Sequence, residues 1–109
     1  MRLFALVLLA ATPALGEEWL PLTGAEITEA LTGRALVYDN GATQDFRASG
    51  RTLYNAGRDS WGYWAVRGDQ YCSMWPPSDL WACYDMARST AGVRFIGQAG
   101  EATDGLYTD

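Results

Sequence analysis

Of the side chains that usually carry out chemistry, this sequence offers carboxylates, arginines, hydroxyls and two cysteines, with no histidine and no lysine. A serine, threonine or cysteine nucleophile therefore lacks its ordinary base, and hydrolytic triads are excluded. With no histidine and no third cysteine, zinc sites of the common kinds are excluded as well, and neither a metal nor a cofactor is expected. Paired carboxylates are the one catalytic device left, through Asp69, Asp79 and Asp85, and a carboxylate-dependent glycosidase is the remote alternative. Asp69 and Asp79 fall in turns, where aspartate is favoured for its own backbone hydrogen bonds. No glycine-rich loop follows a strand and opens a helix, so nothing cradles a nucleotide phosphate.

The surplus is in aromatic surface. Residues Ser60 to Tyr84, SWGYWAVRGDQYCSMWPPSDLWACY, hold four of the five tryptophans, three of the six tyrosines and both cysteines. Rings at the rim of a sheet stack on a sugar, an aromatic ligand or a partner's side chain; buried, they fill a core short of aliphatic residues. Trp64, Tyr71, Trp75, Trp81 and Tyr84 are the candidate binding residues. Arg51, Arg58 and Arg67 flank the same strands, either as anion ligands or as solvated strand ends. Thirteen acids against eight basic residues leave a net charge of −5. That balance repels phosphate backbones and anionic membrane surfaces, and leaves a small ligand or a protein as the expected partner.

The N-terminus reads as an export signal. Met1-Arg2 precede the apolar run Leu3 to Ala11, and Ala14-Leu15-Gly16 supply small residues for cleavage after position 16. The run is about half of the roughly 20 residues that span a bilayer, so no membrane insertion is expected after cleavage. No cysteine opens the mature chain, which argues against a lipoprotein. Residues 17–109 are then a single β domain in the periplasm or secreted, and in that oxidising setting Cys72 and Cys83 form a disulfide.

The elements that must position these residues follow from periodicity. Thr23 and Glu26 form a capping box, Leu22 can reach Ile27 as a staple, and Ile27, Ala30 and Leu31 share one face. They predict a helix from Gly24 to Thr32, ended by Gly33. Beyond it, β-branched and aromatic runs alternate with turn residues, predicting strands at 35–38, 43–48, 52–56, 61–67, 70–75, 80–86 and 93–96. Asn40-Gly41 and Gly68-Asp69 read as two-residue hairpin turns, and Pro76 to Asp79 as a four-residue loop. The tail from Gly97 is either a last strand or mobile. Seven to eight sequential antiparallel strands make an up-and-down meander that closes into a barrel or half-barrel, with one short N-terminal helix.

Register then sharpens the aromatic centre. Counting out from the two turns sets Cys72 opposite Cys83, Ser73 opposite Ala82, Met74 opposite Trp81 and Trp75 opposite Leu80, with Val66 opposite Tyr71 and Trp64 opposite Ser73. One face carries Trp61, Tyr63, Ala65, Cys72, Met74, Trp81 and Cys83. The other carries Trp64, Val66, Tyr71, Trp75, Leu80 and Tyr84 beside the small Gly62, Ser73 and Ala82. Large next to small is what a curved interior requires, so Trp64, Val66, Tyr71 and Tyr84 are expected to point inward. The disulfide face would be covered by the helix, the tail or a partner.

The series Gly62, Trp64, Val66, Gly68, Asp69, Tyr71, Cys72, Trp75, Cys83 and Tyr84 resembles small exported bacterial domains of unknown function. A weaker likeness is to periplasmic lysozyme inhibitors, whose Ser-Gly-containing inhibitory loop is similar to Ala48-Ser49-Gly50 followed by Tyr54. The spacing to that tyrosine differs, and no lysine stands for that family's basic residue. The expected function is non-enzymatic binding through the aromatic sheet, with inhibition of a c-type lysozyme as the alternative.

Overall fold

The computed structural model describes residues 18–109; the expected signal segment, 1–16, lies outside them. Among the described residues the chain forms β1 (Leu20–Pro21), α1 (Gly24–Leu31), β2 (Arg34–Tyr38), β3 (Thr43–Phe46), β4 (Arg51–Asn55) and β5 (Asp59–Arg67). It continues through β6 (Gln70–Met74), β7 (Ala82–Arg88), β8 (Gly92–Ile96) and β9 (Ala102–Tyr107). Strands β2 to β9 pair antiparallel in chain order, and β9 pairs back onto β2, so the meander is a closed eight-stranded barrel. Closure leaves the ladder without open edges. The tail is its last strand: Val37 opposes Leu106 and Tyr38 opposes Gly105. β1 is an extra strand on β7, where Leu20 opposes Arg88 and Pro21 opposes Ala87.

Three hairpins share one turn design. The N–H groups of Gly41, Gly50 and Gly100 donate to the carbonyls of Tyr38, Arg47 and Gly97, three residues back. All three glycines have positive φ, at 87°, 92° and 87°. This is the three-residue loop ending in a left-handed residue, which only glycine enters without steric cost. Asn40-Gly41 is thus part of a three-residue loop and not of a two-residue one; Asn40 uses its side-chain oxygen to accept from the Ala42 N–H. The Gly68-Asp69 turn is as tight as expected, with Arg67 opposite Gln70.

The β6–β7 ladder ends earlier than counting predicts. Its last rung is Ser73 opposite Ala82, so the rungs Met74–Trp81 and Trp75–Leu80 do not form. Pro76 and Pro77 have no N–H to give a ladder, and the chain instead makes a local turn in which the Ser78 N–H donates to the Trp75 carbonyl. Leu80, expected on the inner face, stands exposed in this connection. The register survives: Cys72 opposes Cys83, and their sulfurs are bonded at 2.03 Å.

α1 closes one end of the barrel. Its capping box is formed, with the Thr23 N–H donating to Glu26 at 2.8 Å and the Glu26 N–H donating to the Thr23 hydroxyl. At about 1.5 Å per residue it is roughly 12 Å long, enough to lie across a small barrel. Its start is tied to the β5–β6 turn, where the Gly24 N–H donates to the Asp69 carboxylate at 2.7 Å. Its far end meets β3, where the Gly33 N–H donates to the Phe46 carbonyl at 2.7 Å. A side chain on Gly24 would run into the Gly68 carbonyl, so the close approach requires glycine. Ile27, Ala30 and Leu31 join the inward residues Leu36, Phe46, Trp64, Met86 and Val93 in one core. The helix therefore plugs the barrel and does not lie over the disulfide face, and the tail is spent on β9. Among the described residues no helix is long and apolar enough to cross a membrane.

Candidate functional site

With one end plugged, the barrel is a cup that opens at the other end, between the turns after β2, β4 and β8 and the connection after β6. The cavity there measures about 790 Å³, within the range of small-molecule sites. Its wall follows from the parity of the strands. Residues of one parity along each strand point inward, which brings Tyr38 from β2, Gln44 from β3, Tyr54 from β4, Tyr71 and Ser73 from β6, Tyr84 from β7 and Phe95 from β8 to the same lumen. Small residues make room. Gly105 faces Tyr38 across the β2–β9 ladder. A side chain on Gly62 would come within 2.5 Å of the Trp75 ring, so glycine there lets that tryptophan fold back against the wall.

Six rings form a continuous chain around the inside. Trp75 meets Tyr54 at 6.1 Å between centroids, Tyr54 meets Tyr38 at 6.3 Å, and Tyr38 meets Phe95 at 6.3 Å. Phe95 then meets Tyr71 at 5.1 Å, and Tyr71 meets Tyr84 at 6.1 Å. These separations lie in the favourable range for edge-to-face and tilted pairs. Tyr71 and Phe95 are buried, while the other four rings are half-buried.

A buried amide organises the floor. Gln44 accepts from the Tyr38 hydroxyl at 2.7 Å, and its amide N–H groups donate to the Thr52 hydroxyl at 2.9 Å and the Tyr71 oxygen at 3.3 Å. The Thr52 hydroxyl in turn donates to the Asp45 carbonyl at 2.6 Å. Because Gln44 and Tyr71 stand on well-separated strands, the amide bridges the lumen and fixes both phenols. Trp75 donates to the Ser73 hydroxyl at 3.3 Å, which holds its ring over the mouth.

The cup stays uncharged at its floor. Burial, with neighbouring phenols adding to it, pushes Tyr38 well above the ordinary tyrosine value. Burial likewise raises Tyr71, partly offset by hydrogen bonds from Ser73 and Gln44. Alkaline titration followed by tyrosinate absorbance should therefore leave these two phenols silent beyond the pH near 10 at which a free tyrosine ionises. The sign for stability follows: above about pH 10 the unfolded chain sheds protons that the folded chain keeps, so stability is intact below that pH and falls as pH rises beyond it. Reversible ionisation of every tyrosine together near pH 10, with the fold intact, would contradict the buried floor.

The five residues expected to bind do not all meet. Tyr71, Trp75 and Tyr84 line the cup. Trp64 lies beneath it, 8% exposed, donating its indole N–H to the Arg47 carbonyl at 2.9 Å and standing edge-on to Phe46. Trp81 faces outward under the Arg67 guanidinium at 4.4 Å. The outer wall repeats this pattern, with Arg47 and Arg51 at 4.8 and 4.7 Å from the Trp61 ring. So Arg51 and Arg67 rest on rings. The carboxylates Asp69, Asp79 and Asp85 stand apart: Asp69 holds the helix start, Asp85 accepts from Gln70 at 3.1 Å, and Asp79 sits in the β6–β7 connection. The carboxylates at the cup are Asp39 and Asp104, the latter held below the usual carboxylate range by its hydrogen bonds from Arg94.

Tyr38, Gln44, Tyr54 and Phe95 escaped the sequence reading. Each shares strand parity with an inward residue two positions away, Leu36, Phe46, Thr52 and Val93, so the parity was available once the barrel was known to close. Ser49 and Gly50 lie in the turn at the helix-plugged end, away from the cup. Compared with protein-family models, with curated proteins and with solved structures, the chain matches none.

Proposed function

We propose that this chain is a non-catalytic binding domain that holds a small ligand in the aromatic cup. The continuous chain of six rings around an open cavity of about 790 Å³ carries the reading. A core that needed only filling would not leave this space, and the hydrogen bonds of Gln44 hold the rings in place before a ligand arrives. Such preorganisation lowers the entropy cost of binding. The enclosed disulfide and the basic, apolar and small-residue order of the first sixteen positions support export to an oxidising compartment as the setting.

Tryptophan fluorescence tests the proposal directly, since Trp75 stands at the mouth. Titration with a panel of small aromatic, sugar and amine ligands should change emission saturably. Trp75→Ala should weaken the best of them by about tenfold or more, on the scale of a stacked ring at a binding centre. Trp61→Ala, on the outer wall, should leave the affinity unchanged. The alternative, a lysozyme inhibitor acting through Ser49-Gly50, would work from the opposite end of the barrel. Inhibition of a c-type lysozyme that Trp75→Ala does not alter would favour it over the cup.

A further inference from the structure

We infer that the ligand presents an organic ammonium group to the ring chain; this rests on the cup being the binding site. Three observations point the same way. First, a run of rings, Trp75, Tyr54, Tyr38, Phe95, Tyr71 and Tyr84, presents π faces and edges along much of the cup wall. A ring face carries negative charge density and attracts a poorly hydrated cation. Second, the lining includes the Asp39 and Asp104 carboxylates and no basic side chain. Arg94 already neutralises Asp104 at 2.7 Å, which leaves Asp39 as the exposed counter-charge at the mouth. Third, basic side chains are held on rings that do not line the cup: Arg47 and Arg51 on Trp61, Arg67 on Trp81, Arg34 on Tyr107 and Arg94 on Trp19.

The open end as a whole leans acidic. Its turns and the residues beside them contribute Asp39, Asp59, Asp79 and Glu101 against Arg58, with Asp104 paired to Arg94. A cleft of one sign with apolar walls concentrates ions of the opposite sign. An anion would meet carboxylates at the mouth and a floor of neutral phenols, without one basic group to receive it. A neutral sugar would find hydroxyl and amide partners in Gln44, Asn40 and Ser60, but would draw nothing from Asp39's charge. The cup is far larger than an ammonium head, so the natural ligand carries further bulk beyond it.

The test compares choline with its uncharged isostere 3,3-dimethylbutan-1-ol, and with glucose, by calorimetry and tryptophan fluorescence on the native protein and on Asp39→Asn. Choline should bind roughly tenfold more tightly than the isostere, which has the same shape without the charge. Asp39→Asn should weaken choline by about threefold and leave the isostere unchanged, and added salt should have the same selective effect. Equal binding of choline and the isostere, or binding of glucose without choline, overturns the cationic assignment while the cup remains a site. Absence of any response from all three, with the fold intact, removes the cationic assignment, and the cup reading falls with it only if the wider panel also leaves the fluorescence unchanged.

Discussion

Replacing Cys72 and Cys83 together by alanine is expected to lower stability by about 3 kcal/mol, the chain-entropy value for a loop of this length. For a domain of this size that corresponds to a fall in melting midpoint of roughly 12 to 24 °C. The location makes the effect large. The β6–β7 seam has three rungs, Tyr71–Tyr84, Cys72–Cys83 and Ser73–Ala82, and the disulfide is the middle one. Beyond Ser73 the prolines prevent further pairing, so no backbone hydrogen bonds reinforce the seam toward the open end. Thermal unfolding by circular dichroism measures the total loss. Amide exchange should localise the weakening to β6 and β7, including Tyr84 on the cup wall. A drop of less than about 1 kcal/mol would mean that closure of the barrel holds this seam without the covalent link.

The disulfide shows what was legible and why. Its pairing could be read because counting outward from a Pro76 to Asp79 loop, with strict side-chain alternation along both strands, sets Cys72 opposite Cys83. A misjudged loop at Pro76 to Asp79 altered only where the ladder stops, since removing rungs in pairs leaves Cys72 opposite Cys83. The helix was equally legible, because Thr23 and Glu26 bond each other within three residues of chain. Both features are local, or local once one turn is fixed.

The cup was not local in this sense. Tyr38 meets Phe95, and Gln44 meets Tyr71, through closure of the barrel, across separations in the chain that no periodicity encodes. Gln44 is also a polar residue at an inward position, which a pattern of apolar alternation assigns to solvent. Its burial becomes favourable only because Tyr38, Thr52 and Tyr71 satisfy its amide. Trp81 illustrates the converse error. Grouping it with the cup rings follows aromatic density against its parity, which places it on the disulfide face; one residue past the end of the ladder it stands outward, under the Arg67 guanidinium. The density of aromatics marks only the part of the cup wall that β6, β7 and their connection supply, whereas the composition of the whole cup depends on tertiary closure.

The largest single-residue effect is expected at Phe46, where plug, core and cup meet. The side chain is fully buried. It stands edge-on to Trp64 at 5.7 Å and to Tyr71 at 5.8 Å, and stacks on Phe95 at 6.3 Å. Its backbone carbonyl receives the Gly33 N–H at the end of α1. Phe46→Ala removes a ring whose neighbours belong to a closed barrel and cannot collapse into the gap, so the loss should reach about 3 to 5 kcal/mol. Because Tyr71 and Phe95 are the floor of the ring chain, the same change removes the surface that backs them. Ligand affinity should fall even at temperatures where the variant is folded, although Phe46 never touches the ligand. Phe46→Leu, which retains more of the volume, should recover part of both. Chemical denaturation and the fluorescence titration on the two variants separate the contributions: a stability loss with unchanged affinity would show that the rings are held by Gln44 alone, and a small stability loss would show that the core is not centred on Phe46.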